Sequence, residues 1–338
     1  MRRKDSLIIV AITIGVLVTI LLLYIALAGS LPGMRKPIPT TTIGRTETCP
    51  LTGEKVSTRA NRVPFAVCID NIAQARPQSG LDKADIIYEV STEAGIPRFL
   101  AIYYCGGADR IGPVRSARTY FISLAKQFNA VLVHAGGSPQ SLRQISEGEI
   151  RSLNEFKFRE AYFRDRSRRA PHNLFTTTAR LSAAAADAGF SGPVRVKGPS
   201  FDGDRAAGIE ARAITIPFPT TTVSYNYDPV SGDYLRSMNG VAHTDAVTRE
   251  QLRAKNVVVQ FTKQRVIDTA GRLDIDLVGD GRAIFFIGGR RIEGRWIRPS
   301  ESEPFLYKDS DGNTIKLNRG QTWVEIVAEN MRVTANLP

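Results

Sequence analysis

Arg115 and Arg118 stand three residues apart in the string Gly112-Pro113-Val114-Arg115-Ser116-Ala117-Arg118, just ahead of an apolar-periodic stretch. Guanidinium forks beside the free amides of a helix start suit a phosphate or carboxylate. Asp85, Glu89 or Asp109 of the same fold would neutralise them equally well. The string His134-Ala135-Gly136-Gly137-Ser138-Pro139 follows a short apolar run, and its glycines let main-chain donors approach an oxyanion. His134 there is either a ligand contact or a satisfied core histidine. His172 lies in Arg168-Arg169-Ala170-Pro171-His172-Asn173, close to Lys157, Arg159, Arg164 and Arg166. This basic stretch offers a polar contact or a proton-transfer group, against the plainer reading of a solvated loop. The expected cradle has Arg115 and Arg118 gripping an anion, with His134, Gly136, Gly137 and Ser138 completing it. Arg76 or His172 closes it, Arg98 adds charge, and Asp70, Asp85 and Glu89 are the acidic partners.

Catalytic signatures are sparse. Ser138, His172 and Asp70 supply the residue types of a Ser-His-Asp arrangement, but no Gly-x-Ser-x-Gly supports it. Asp85 and Glu89 on one strand face would stand about 13 Å apart, beyond the roughly 5–9.5 Å of a glycosidase pair. His134, His172 and His243 are isolated from one another, and no CxxC occurs, so neither a metal nor a cofactor is expected.

The elements that must position these residues read as a mixed α/β half followed by a β-rich half. Pro64 to Ile69, Ile86 to Ser91 and Arg98 to Tyr104 are strands, the last two a hairpin about Ala94-Gly95. Ser116 to Phe128 is an amphipathic helix, Val131 to His134 a strand, and Ser138-Pro139 an N-cap and first helical position. Thr177 to Gly189 is a further helix. Beyond residue 212 nine short strands alternate with turns, and Thr248 to Ala254 has capping-box spacing for one helix. An α/β domain is expected over residues 56–200 and a smaller β-rich domain over 212–338.

Leu7 to Ala28 carry no charge and follow Arg2, Arg3 and Lys4. As a helix the run reaches about 33 Å, enough for a hydrocarbon core, and its basic flank keeps the amino end inside. The expectation is a six-residue cytoplasmic stub, an anchor over 7–28, a Pro-rich linker over 29–55 and extracytoplasmic domains. The rival is a signal cleaved after Ala28, whose apolar region normally runs about 7–15 residues. The first cysteine, Cys49, comes too late for lipid attachment. With Cys68 and Cys105 it makes an odd set, in which any two could bridge in an oxidising compartment. Across 338 residues the formal net charge is +12. Outside a membrane that charge favours anionic envelope polymers; the anchor argues against nucleic acid.

Four strings carry a resemblance: Ala75-Arg76-Pro77-Gln78-Ser79-Gly80-Leu81 with Ala84-Asp85-Ile86-Ile87-Tyr88-Glu89; Ile111 to Arg118; His134 to Pro139; and Pro171-His172-Asn173-Leu174. Tyr234-Leu235-Arg236, Asn239-Gly240, His243, Asn256 to Gln260 and Leu317 to Trp323 extend it. Over about residues 49–332 the chain resembles the YerB-like family of bacterial extracytoplasmic proteins. The resemblance implies two domains outside the membrane, usually held there as a lipoprotein, with no catalytic residues to carry over. The favoured reading is a membrane-anchored binding protein for an anionic wall ligand such as peptidoglycan or another wall polymer, or for a wall-synthesis protein. A hydrolase or transferase using His134 or His172 as general base, and a scaffold for other membrane proteins, are the alternatives.

Overall fold

The structure, a computed structural model, describes residues 15–24, 46–57, 63–190, 192–202 and 208–336. Residues 7–14 and 25–28 of the expected anchor lie outside them; residues 15–24 are helical with exposed side chains. Among the described residues no helix is long and apolar enough to cross a membrane.

From Arg45 onward the chain forms one compact unit. Its spine is a mixed sheet of eleven strands shared by both halves of the sequence. The amino half contributes Phe65–Ile69, Ile86–Ser91, Pro97–Tyr103, Val131–His134 and Ser152–Asn154. The carboxyl half joins through Thr322–Ala328, which lies parallel to both Ile86–Ser91 and Asn256–Thr262. These inner strands are buried along their whole length, which is why they read as continuous apolar runs and not as alternation. The antiparallel hairpin of Ile86–Ser91 with Pro97–Tyr103 forms as its turn signal predicts, with Ala94 and Gly95 at φ of 58° and 72°.

Successive side chains point to opposite faces, so each inner strand feeds two cores. One core takes Ile86, Tyr88 and Val90 together with Phe121, Leu124 and Ala125 of the helix Thr119–Lys126. The other takes Ile87, Phe99 and Trp323 and packs them against Ile214, Ile216, Val223 and Tyr234 of a second, antiparallel sheet of six strands. A disulfide joins Cys49 to Cys105, while Cys68 is free and buried.

Two expected elements differ. The helix placed at Ser116 to Phe128 starts only at Thr119, because the chain before it is spent on extended pairing: Arg115 N–H donates to Cys68 O and Ala117 N–H to Gly136 O. The helix placed at Thr248 to Ala254 does not form. Asp245 Oδ1 instead accepts from the amides of Val247 and Thr248 in a tight turn, Arg249 takes φ of 61°, and Arg253–Ala254 pairs as a strand. The side-chain bonding available to Asp competes there with a helix.

Candidate functional site

The carboxyl ends of Phe65–Ile69, Ile86–Ser91, Val131–His134 and Ser152–Asn154 share one edge of the large sheet, the edge at which open α/β sheets gather ligands. Asp70 follows the first of these strands and is buried. Its Oδ2 forms an ion pair with Arg115, 3.0 Å from Nε, and accepts from His172 Nδ1 at 2.8 Å. Beside it Arg118 grips Glu93 through both carboxylate oxygens, at 2.6 and 2.8 Å. Burial disfavours the Arg118 cation, and Glu93 more than restores it. The guanidinium pair is therefore neutralised by Asp70 and Glu93, not by Asp85 or Glu89.

Arg98 is the remainder. Among the described residues it forms no ion pair, and its one hydrogen bond reaches Ser116 O at 3.5 Å. Burial and then the neighbouring Arg118 push its guanidinium down, while Asp70 and Glu93 hold it up. Three arginines thus face two carboxylates.

The loop from His134 to Ser138 packs directly onto this segment. Ala135 N–H donates to Arg115 O and Ser138 N–H to Ala117 O, while Gly136 N–H reaches Asn154 Oδ1 at 3.3 Å. Ser138 caps the helix Pro139–Ser146 by accepting from Ser141 N–H at 3.2 Å. The amides expected to cradle an anion are engaged at Gly136 and Ser138, and a Cβ on Gly137 would meet Ser141 Oγ at 2.6 Å. His134 is fully buried; its Nδ1–H donates to Gly136 O at 2.7 Å and burial holds the ring neutral. Asp85 accepts from the amides of Tyr104 and Cys105 at 2.6 and 2.8 Å, beside the disulfide.

Behind Asp70 lies a closed ring of hydrogen bonds between the two sheets. Gln78 Nε2 donates to Asn71 Oδ1 and to Asp70 O, both at 3.0 Å. Asn71 Nδ2 donates to Glu89 Oε1 at 3.0 Å, and Glu89 Oε2 accepts from Arg236 Nη2 at 2.5 Å. Arg236 Nε donates to His243 Nδ1 at 3.1 Å, so Nε2 carries the histidine proton and donates it to Gln78 Oε1 at 2.8 Å. Burial and the Arg236 charge keep His243 neutral. Arg236 also reaches Tyr225 Oη at 2.5 Å and Glu325 Oε1 at 3.2 Å, and lies 4.4 Å over the Trp323 ring. Glu89 and Glu325 are direct neighbours on adjacent parallel strands, and one arginine cannot offset both charges. Burial first, then the Glu89 charge, push the Glu325 carboxyl well up, so it is held protonated. Arg76 hangs on this ring through Asn71, with Nε to Oδ1 at 3.1 Å and Nη2 to the main-chain oxygen at 2.7 Å.

Asn71, Gln78, Glu93, Tyr225, Arg236, His243 and Glu325 were not among the expected site residues. The signal for two of them is present: a charge inside an apolar run, as in Trp323-Val324-Glu325-Ile326, or at the buried parity of an alternating strand, as Arg236 between Tyr234 and Met238.

Residues 51–191 match the family described as protein of unknown function (DUF3048), N-terminal domain, and residues 214–324 match its C-terminal domain. The chain is 34% identical over 287 residues to "Putative lipoprotein YerB" of Bacillus subtilis strain 168, covering 83% of this chain and 86% of that protein. The crystal structure of the YerB protein from Bacillus subtilis superposes with a TM-score of 0.77 at 31% identity, over 85% of this chain and 99% of that one. By sequence and by fold, the chain belongs to the YerB-like DUF3048 family.

Proposed function

We propose that this chain is an extracytoplasmic envelope protein that binds an anionic wall ligand or wall-synthesis partner at the Asp70 edge. The observation that carries the reading is Arg98, a partly buried guanidinium without a carboxylate partner among the described residues, set between the Arg115–Asp70 and Arg118–Glu93 pairs. A buried cation without a counter-ion is costly, and a bound carboxylate or phosphate supplies one. Disulfides persist in oxidising compartments, so the Cys49–Cys105 bridge supports a place outside the cytoplasm. A relative named as a lipoprotein agrees with the envelope. In this chain Cys49 sulfur is committed to the disulfide, so the apolar run from Leu7 to Ala28 is the proposed tether. The test is calorimetric titration of the full chain, purified in detergent, with inorganic phosphate and with purified wall polymer. Arg98→Gln is expected to weaken binding about tenfold or more. Equal binding by a folded Arg98→Gln protein would remove the proposal.

A second reading rests on His172 and Asp70. A buried carboxylate holding Nδ1 at 2.8 Å orients the imidazole and leaves Nε2 to take a substrate proton. Turnover of labelled peptidoglycan or a phosphodiester, abolished in His172→Ala, would favour this enzyme over the binder. Stoichiometric retention without product favours the binder.

A further inference from the structure

Arg76, like Arg98, forms no ion pair among the described residues, and it does not face the Arg98 side alone. It lines a groove of about 350 Å³ with Ala73, Pro77, Met238, Val241 and Ala242. Asn239 and Thr244 add polar groups to its lining. Mainly apolar walls with a few convergent polar groups are the usual make-up of a ligand cleft, and this volume lies within the common range. His243 also borders the groove, but both its ring nitrogens are consumed by Arg236 and Gln78, so Arg76 is the cation available to an occupant. The second wall is an edge. Among the described residues Val241–Ala242 pairs with Ser237–Met238 on one side only, and Val241 is 71% exposed. His243 N–H donates inward to Arg236 O, so the alternation of an antiparallel ladder turns the N–H and C=O of Ala242 to the outer side.

We infer that this groove binds a short apolar peptide that ends in a free carboxylate. The peptide adds its main chain to the outer edge at Ala242, lays small side chains against Met238, Val241 and Pro77, and places its terminal carboxylate on Arg76. The three features ask for one occupant: an edge takes an extended backbone, apolar walls take small aliphatic groups, and a lone guanidinium takes a carboxylate by charge-assisted hydrogen bonds. Arg168, the neighbouring guanidinium, spends Nη1 on Ala75 O and Nη2 on Pro77 O, and none of the other groove-lining residues carries charge, so a polyanion would meet one cation there. This site is distinct from the anion position at Arg98 and goes beyond that reading.

The experiment uses the full chain in detergent and fluorescein-labelled Ala-Val-Ala-Val-Ala, with either a free carboxyl terminus or a terminal amide, followed by fluorescence anisotropy. The acid is expected to bind about tenfold or more tightly than the amide, the difference that one charge-assisted contact makes. Arg76→Gln should erase the difference between acid and amide. Val241→Asp, a change at an exposed position, should weaken the acid peptide while leaving the phosphate response of the Arg98 site unchanged. Equal affinity for acid and amide, no binding of either peptide, or acid binding untouched by Val241→Asp would each overturn the inference. Loss of phosphate binding in Arg98→Gln, or its absence, bears on the other site and leaves this result readable by itself.

Discussion

Arg236→Met tests the buried ring most directly. Arg236 is fully buried and touches Glu89, Glu325, Tyr225 and His243, with Trp323 beneath its plane. Methionine fills much of the same volume and contacts the Trp323 ring, so the cavity left is small. What changes is charge. Glu89 keeps Asn71 Nδ2 as a donor but loses its ion-pair partner between the two sheets. Breaking a buried pair in this way costs about 3–5 kcal/mol. For a domain of this size each kcal/mol lowers the melting temperature by roughly 2–4 °C, which puts the expected fall at about 6–20 °C. The assay is calorimetric melting of the full chain in detergent at neutral pH, with urea midpoints as the check. Glu89→Gln together with Arg236→Met removes the orphan charge, so the double variant should be more stable than Arg236→Met alone. A single-variant loss below about 1 kcal/mol, or a double variant equal to the simple sum, would refute the assignment of Arg236 as the counter-ion of Glu89.

Glu325→Gln tests the protonated carboxyl. A carboxyl raised in the folded state contributes stability that is whole below its unfolded pKa of about 4.3 and is lost as pH rises through the folded value. The wild type should therefore lose stability relative to Glu325→Gln above that pH, by up to about 1.4 kcal/mol per pH unit, and parallel melting curves would contradict it. Removing the Cys49–Cys105 bridge by a double change to alanine opens a loop of 56 residues and should cost about 4 kcal/mol, read as a lower urea midpoint. Thr177→Ala removes the cap in which Thr177 Oγ1 accepts from Arg180 N–H at 3.0 Å, and should cost about 1 kcal/mol in the same assay.

The strands were legible because apolar runs and turn residues are local signals. All nine expected strands of the carboxyl half occur, from Ala213–Phe218 to Thr322–Ala328, with edges shifted by a few residues. Ser138 and Thr177 cap helices as their types predict. The sharing of one sheet by both halves was not legible, because it depends on Thr322–Ala328 pairing with Ile86–Ser91 across most of the chain. The site shows the same division. Arg76, Arg98, Arg115, Arg118 and His172 do gather around Asp70 and Asn71, and Asp70 pairs with Arg115 and His172, but the partner of Arg118 was not legible, since Glu93 follows the strand from Ile86 to Ser91 and no periodicity places it beside Arg118. Arg236 carries a local signal of burial but none of its partner, and His243 carries neither, because the groups they meet, Glu89 and Gln78, are in the other half.

That long-range pairing decides what the amino half can do by itself. Residues 45–200 contain Asp70, Arg98, Arg115, Arg118 and His172, the whole proposed anion site. Without the carboxyl half, Ile86–Ser91 loses the neighbour Thr322–Ala328 and becomes an open edge, although all six of its residues are buried in the complete fold. Glu89 loses Arg236, Gln78 loses His243, and Ile87 and Phe99 lose the second sheet that covers them. Each loss exposes apolar surface or strands a polar group that anchors the segment from Asp70 to Gln78. The amino half expressed alone is therefore expected to lack a cooperative melt and to bind phosphate no better than its Arg98→Gln variant. A cooperative transition within a few degrees of the full chain, with phosphate binding retained, would show that Arg236 and Glu325 brace a site that stands without them.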